Sequence, residues 1–246
     1  MKIAIITDIH EDIINLELAF QKIAKQQCDR IVCLGDISGY NARFHHFIDH
    51  RNASACLQLL RDNNAIIVAG NHDLHSCGRL PFMSGDEEIP ENWYQLDHVT
   101  RLTIAGEKVW HYTDELNPLF SDDDIQQLRD LPLYYTLQGE EGSILFSHYL
   151  YPNLNGFKTE LHDNSEAFMR HVEFMQQKQC LVSFCGHTHT SGMMHFNKTL
   201  HRKSFNKNIK LESNSIIIIP PVVRNRTASG FCIFDTNNWT AIALRI

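Results

Sequence analysis

The chain has 246 residues, 43% of them apolar and 21% charged, a composition typical of a globular protein able to bury a sizeable core. Its formal net charge of −7 argues against bulk electrostatic coating of nucleic acid or an anionic membrane. Bound cations can reverse that sign locally, so an enzyme acting on a phosphate is not excluded.

No apolar run reaches the ~18 residues needed to span a bilayer. The N-terminus, "MKIAIITDIH", lacks an h-region and a cleavage site. The seven cysteines are odd in number and contain no C-x-x-C pair, so free buried thiols and a cytoplasmic location are expected.

In chain order, "KIAIITDIH" (residues 2–10) reads as a strand whose carboxyl end delivers Asp8 and His10. A helix is predicted over 12–27, with Ile13, Leu16, Phe20 and Ile23 on one face and Asp12 as N-cap. "RIVCLGD" (30–36) is a second strand ending in Asp36, and 44–62 carries a helical pattern. "AIIVAGNHD" (65–73) is a third strand, ending in Asn71, His72 and Asp73. Helices are predicted over 86–96 and 121–131, the latter with a Ser121–Asp124 capping pattern and an acidic first turn. "SILFSH" (143–148) ends in His148, and a helix over 165–178 shows Phe168, Val172 and Met175 on one face. "LVSFCGHTH" (181–189) ends in His187 and His189. Beyond 191 the pattern is strands and turns: "GMMHF", "NIKLESNSIIIIP", "FCIFD" and "TAIALRI". No linker or repeat interrupts the chain, so one domain over 1–246 is expected, with a helical excursion of about 74–135 as a cap over the site or an interface.

Five predicted strands therefore each deliver a carboxylate, amide or imidazole where open α/β sheets bind their ligands. The donors Asp8, His10, Asp36, Asn71, His148, His187 and His189 include no thiolate, a set suited to Mn, Fe, Co or Zn. Seven side chains are too many for one tetrahedral ion and suffice for two if a carboxylate bridges, a role that falls to Asp36, alone on its strand end. Two such ions ~3.5–4 Å apart polarise a phosphoryl oxygen and supply a hydroxide nucleophile at neutral pH. The expected chemistry is hydrolysis of a phosphate ester. His72, next to Asp73, is then a cationic group that stabilises developing charge or protonates the leaving alkoxide.

"DIH" (8–10), "GD" (35–36), "GNHD" (70–73), His148 and "GHTH" (186–189) resemble, in order and spacing, the calcineurin-like metallophosphoesterases. The resemblance covers about residues 1–235 and implies a four-layer α-β-β-α sandwich with a dinuclear metal centre. It assigns one ion to Asp8, His10, Asp36 and His189, and the other to Asp36, Asn71, His148 and His187. It makes His72 the catalytic histidine, supported by Asp73. The compact length and "GDISGY" look most like the small bacterial phosphodiesterases, and Ala69 stands where protein Ser/Thr phosphatases have an arginine.

Three departures affect the pocket rather than the ligands: Glu11 and Tyr149 where the family often has glycine, and "IPPVV" (219–223) in place of "NPGS". Glu11 and Tyr149 are expected to narrow the pocket, and Tyr149, Arg224 and Arg226 are the candidate substrate contacts. His45, His75 and most remaining histidines are read as surface or packing residues, and the basic cluster Lys198, Arg202, Lys203, Lys207 and Lys210 as a solvated hairpin. The expected partner is a small phosphorylated substrate, phosphodiester or phosphomonoester. A non-catalytic binding scaffold and a nuclease of the same superfamily are the alternatives.

Overall fold

The computed structural model describes residues 1–81, 89–139, 142–159, 165–224 and 229–246. The first half runs β1 (Lys2–Ile6), α1 (Ile13–Ala24), β2 (Arg30–Cys33), α2 (Ala53–Asp62), β3 (Ile66–Ile67), α3 (Asn71–Ser76), α4 (His98–Ala105) and α5 (Asp122–Asp130). The second half runs β4 (Tyr134–Gln138), β5 (Ser143–Ser147), α6 (Ser165–Gln177), β6 (Cys180–Cys185), β7 (Met193–Asn197) and β8 (Thr199–Lys203). It closes with β9 (Ile209–Lys210), β10 (Ser215–Ile218), β11 (Gly230–Asp235) and β12 (Thr240–Arg245).

Two six-stranded sheets result, ordered β3-β2-β1-β11-β12-β9 and β4-β5-β6-β10-β7-β8. In the first sheet β3, β2 and β1 run parallel at one end and the remaining pairs are antiparallel, whereas in the second a parallel centre of β5, β6 and β10 is flanked by antiparallel pairs. The inner faces pack on one another: Ile3, Ile5 and Val32 of the first sheet share a core with Phe146, Phe184 and Ile217 of the second. The outer face of the first sheet is covered by Leu16, Phe20 and Ile23 of α1 and by Cys56, Leu57 and Leu60 of α2. The outer face of the second is covered by Phe168, Val172 and Met175 of α6. The layers are α-β-β-α, because a strand buried on both faces must find apolar partners above and below.

Local chemistry sets most boundaries. Asp12 caps α1 by accepting from the Asn15 amide at 3.1 Å. Ser121 and Asp124 close the expected capping box on α5. β7 and β8 form a hairpin that turns at Lys198 and carries Arg202 and Lys203 of the basic cluster, while Lys207 follows it and Lys210 lies in β9 of the other sheet.

Three assignments differ from the sequence reading. The helix lies at His98–Ala105, not within 86–96; of that range 86–88 lie outside the described residues and 93–95 form one 3-10 turn. Helix α4 buries no side chain, so it carries no apolar stripe to read. The run "NIKLESNSIIIIP", read as strands and turns without a division, splits into β9 and β10, which join different sheets. Strand β4 is half-exposed and, among the described residues, pairs only with β5, and its sequence shows no alternating pattern that marks a strand.

The excursion after α3 docks against the loop following β5. Trp93, Val109 and Phe157 form a small core of their own there, and the Trp110 amide donates to the Phe157 carbonyl at 3.0 Å.

Candidate active site

The donors stand on loops leaving β1, β2, β5 and β6 and on the first turn of α3. Asp8, His10, Asp36, His187 and His189 all have positive φ, between 47° and 70°. Non-glycine residues there cost ~1–3 kcal/mol each and persist where surrounding structure holds them. Here the loops hold one another: the amides of Ile9 and His10 both donate to the Asp36 carbonyl, at 2.8 and 3.0 Å. The Gly186 amide likewise donates to the His148 carbonyl at 2.8 Å. Five strained donors converging on one point is the pattern of a functional site.

The donor atoms form three groups, the members of each within 4.8 Å of one another: a first of Asp8 with His10 and His189, a second of Asp36 with His148 and His187, and between them His10 with Asp36 and His72. Within the first, Nε2 of His10 lies 3.0 Å from Nε2 of His189, which is 3.3 Å from Oδ1 of Asp8. Within the second, Nε2 of His148 lies 3.2 Å from Nδ1 of His187 and 3.1 Å from Oδ2 of Asp36. The same Asp36 oxygen is 4.0 Å from Nε2 of His10, so its carboxylate spans both groups. The remote ring nitrogens are fixed by carbonyls, His10 Nδ1 by Gly39 and His148 Nδ1 by Leu34, as metal-binding imidazoles usually are.

These residues fit cations. Tetrahedral bonds of ~2.1 Å to one ion separate two ligand nitrogens by ~3.4 Å, near the 3.0 and 3.2 Å of the two histidine pairs. Asn71 Oδ1 is buried without a hydrogen-bond partner among the described residues. Asn71 Oδ1 also faces the second group. A Cβ on Gly156 would stand 3.0 Å from it and 2.6 Å from His187 Nδ1, so only glycine lets that loop approach.

Electrostatics separates the imidazoles. Burial lowers His10 well below its usual range and His187 to about 3, leaving both neutral and ready to ligate. Burial also opposes charge on His148, but the carboxylates of Asp36 and Asp8 outweigh it and hold its pKa at about 9. Burial works against ionising Asp8 and Asp36 too. The facing histidines, His189 and His148 for Asp8 and His148 and His72 for Asp36, overcome it and keep both well below the carboxylate range.

His72 lies at the rim, Nε2 3.8 Å from Oδ2 of Asp36. Its expected support from Asp73 is corrected by the structure. The Asp73 carboxylate instead accepts from the amides of Asp36, Ile37, Ser38 and Gly70 at 2.8–3.2 Å, pinning the loop that carries Asp36. The group against Nδ1 of His72 is the carboxylate of Glu115, from the loop after α4, in a close ion pair.

The profile of the calcineurin-like phosphoesterase family matches residues 1–191. The chain belongs to that family. Members of that family are phosphoesterases that work with divalent metals. A metallophosphoesterase from Sphaerobacter thermophilus has the same fold, with TM-score 0.67 and 21% identity over 100% of this chain and 88% of that one. A hypothetical protein from Pyrococcus horikoshii superposes with TM-score 0.61 and 12% identity over 100% and 87% of the two chains. An uncharacterized protein of Methanocaldococcus jannaschii is 38% identical over 77 residues, which are 31% of this chain and 28% of that relative's length.

The substrate contacts expected of this phosphoesterase fare differently. Tyr149 is fully buried in the core beneath α6, its ring 4.7 Å from that of His187, so it buttresses a donor rather than lining the pocket. Arg224 is turned to Asp12, its amide 3.0 Å and its guanidinium 3.6 Å from that carboxylate, and does not line the cavity. Arg226 lies outside the described residues. Glu11, expected to narrow the pocket, is buried away from it, accepting from the Tyr40 amide and paired with Arg51, both at 3.0 Å.

The cavity above the donors has a volume of about 890 Å³ and is walled by residues 110–115 of the excursion and by the loop 41–45. His45, read as surface or packing, is buried in that second wall, its ring 5.1 Å from that of His10. His75 stacks on Tyr112 at 4.4 Å instead of being solvated. Glu115, Gly156 and His45 had no signal in the sequence, because nothing local ties them to a strand end.

Proposed function

We propose that this phosphoesterase hydrolyses its ester at a dinuclear centre of divalent ions. Asp8, His10, Asp36 and His189 hold one ion, and Asp36, Asn71, His148 and His187 hold the other. The observation that carries this reading is the pair of donor groups sharing the Asp36 carboxylate. Oxygen and imidazole donors without thiolate favour Mn, Fe, Co or Zn. Such ions, when bound, activate water and polarise a phosphoryl oxygen.

The chain's own residues do the rest. Asp8 and Asp36 remain ionised because histidines face them. His72 presents Nε2 toward the Asp36 side of the centre while Glu115 holds Nδ1, so the imidazole is placed to give a proton to the departing oxygen. The cavity admits a small phosphorylated substrate, phosphodiester or phosphomonoester. Among the described residues no helix is long and apolar enough to cross a membrane, and we place the enzyme in the cytoplasm on that and its free cysteines.

The test measures metal content and turnover of bis(4-nitrophenyl) phosphate and 4-nitrophenyl phosphate with Mn²⁺, and after chelation. Asp36→Asn should lower occupancy of both ions, and Asp8→Asn mainly of one. Loss of a single ion in both variants refutes the shared carboxylate. A metal-loaded protein inert toward mono- and diesters refutes the hydrolytic reading itself.

A further inference from the structure

The cavity is far larger than a phosphoryl group requires. Its volume of about 890 Å³ is that of a pocket for a drug-sized organic molecule. The metal-ligand side chains occupy one part of it. The outer walls carry a different chemistry.

The chain has 14 Phe, 7 Tyr and 3 Trp residues. Among the described ones only Phe44, at 60%, and Trp110, at 40%, are left exposed, and both line this cavity. They stand on two separate loops that meet where Asn41 bridges to Glu115 and where the Leu116 amide donates to the Tyr40 carbonyl at 3.0 Å. Large aromatic side chains are left in water at a cost, and two of them on one cavity mark a surface meant to be covered.

Charge narrows what covers them. Arg43 is the one Lys or Arg among the cavity's described lining residues, and its guanidinium sits 5.6 Å from the centre of the Phe44 ring. Asp114 and Glu115 line the same space. Glu115 is already held by His72, so the outer wall sets Asp114 against Arg43 and offers no surplus of cations for a polyphosphate tail. The hydroxyl of Thr188, on the wall beside the donors, is buried without a hydrogen-bond partner among the described residues and is available to a polar group of the ligand.

We propose that Phe44 and Trp110 form a stacking subsite for the organic part of the substrate, a planar heteroaromatic ring of nucleobase size on a single phosphoryl group. Arg43 closes over the ring as a guanidinium face or meets the one phosphate charge, and an outer wall without surplus cations gives a polyphosphate no added hold. This rests on the phosphoester reading above and specifies the substrate class of the same site.

The experiment uses the full chain loaded with Mn²⁺. Inhibition constants of AMP, ribose 5-phosphate and ATP are taken from initial rates on bis(4-nitrophenyl) phosphate, with tryptophan fluorescence followed in parallel. Trp93 and Trp239 are buried, so quenching reports on Trp110. AMP should bind ~5- to 150-fold tighter than ribose 5-phosphate, the range that base–aromatic stacking supplies, and quench the fluorescence. ATP should gain nothing over AMP. In the Phe44→Ala/Trp110→Ala variant the ratio of AMP to ribose 5-phosphate should fall to about one, and Trp110→Phe should keep most of it. Equal affinities in the wild type, an unchanged ratio in the double variant, or tighter binding of ATP than of AMP overturns the subsite. If the wild type turns over the diester and shows no AMP preference, this inference alone falls. A protein that turns over no phosphoester takes the functional reading down as well.

Discussion

Replacing Glu115 by Gln keeps the shape of the side chain and removes the charge held against Nδ1 of His72. Burial by itself would strip His72 of its proton, but the Glu115 and Asp36 carboxylates overcome it and raise the pKa to about 10. Cations in the adjacent centre oppose that proton, which makes the carboxylate more necessary. No nearer residue can replace it. Gly39 lies against the ring, and a Cβ there would be 2.4 Å from His72 Cγ, so the loop beneath has no room for a partner of its own. A contact between charged groups of this kind is worth ~1.5–3 kcal/mol, and each ~1.4 kcal/mol is tenfold in rate. Turnover of an alkyl phosphoester, whose leaving oxygen needs a proton, should therefore fall ~10- to 150-fold in Glu115→Gln. Turnover of a 4-nitrophenyl ester, which departs as a stable anion, should change little, and metal content should be that of the wild type. Both esters are assayed for kcat and KM separately. Equal losses on the two esters, or none on either, would refute the assignment of Glu115 to His72 and of His72 to the leaving group.

Gly156→Ala forces a Cβ to 2.6 Å from His187 Nδ1, so the second ion should be lost first, with stoichiometry falling toward about one per chain by elemental analysis. Asp73→Ala orphans four buried amides at ~1–3 kcal/mol each, and urea denaturation should show the protein weakened or unfolded, whatever its metal supply. Arg51→Met leaves the buried Glu11 carboxylate without its partner at ~3–5 kcal/mol, and a second change, Glu11→Gln, should restore much of it. Burial raises the Glu11 pKa in the folded state above that of the unfolded chain. The stability it contributes is therefore present at low pH and lost as pH rises, and the Arg51→Met defect should deepen in that direction. His148 is protonated at neutral pH, with a pKa of about 9, whereas His10 and His187 are not. Ion binding at pH 7 should release the His148 proton and tighten as pH rises, measurable by calorimetry in buffers of different ionisation heat.

Much of this protein is written locally. Each donor follows an apolar run that stops at a glycine or a polar residue, so Asp8, Asp36, Asn71, His148 and the two histidines of "GHTH" are visible in the sequence as strand ends. The sandwich is legible for the same reason: strands buried on both faces need two layers of partners. Helix α4 and strand β4 were not legible, since an element that buries little leaves no period to detect. The break between β9 and β10 was hidden inside a run that is apolar at one end and reaches two sheets.

The partnerships were decided only in three dimensions. Asp8 meets His189, and Asp36 meets both His10 and His148, because parallel neighbours in two facing sheets bring their carboxyl ends to one edge. Asp73 is adjacent to His72 in sequence, yet in a helix's first turn consecutive side chains diverge, and it points to the Asp36 loop instead. The histidine's counter-charge, the room for Asn71 and the aromatic mouth come from Glu115, Gly156, Phe44 and Trp110. All four are loop residues whose meaning depends on what folds against them. Sequence alone determined which atoms could bind and react, because that is fixed by residue type at a strand end. Tertiary structure decided which of them face one another, because distance through space between loops is set by how the sheets and the excursion pack.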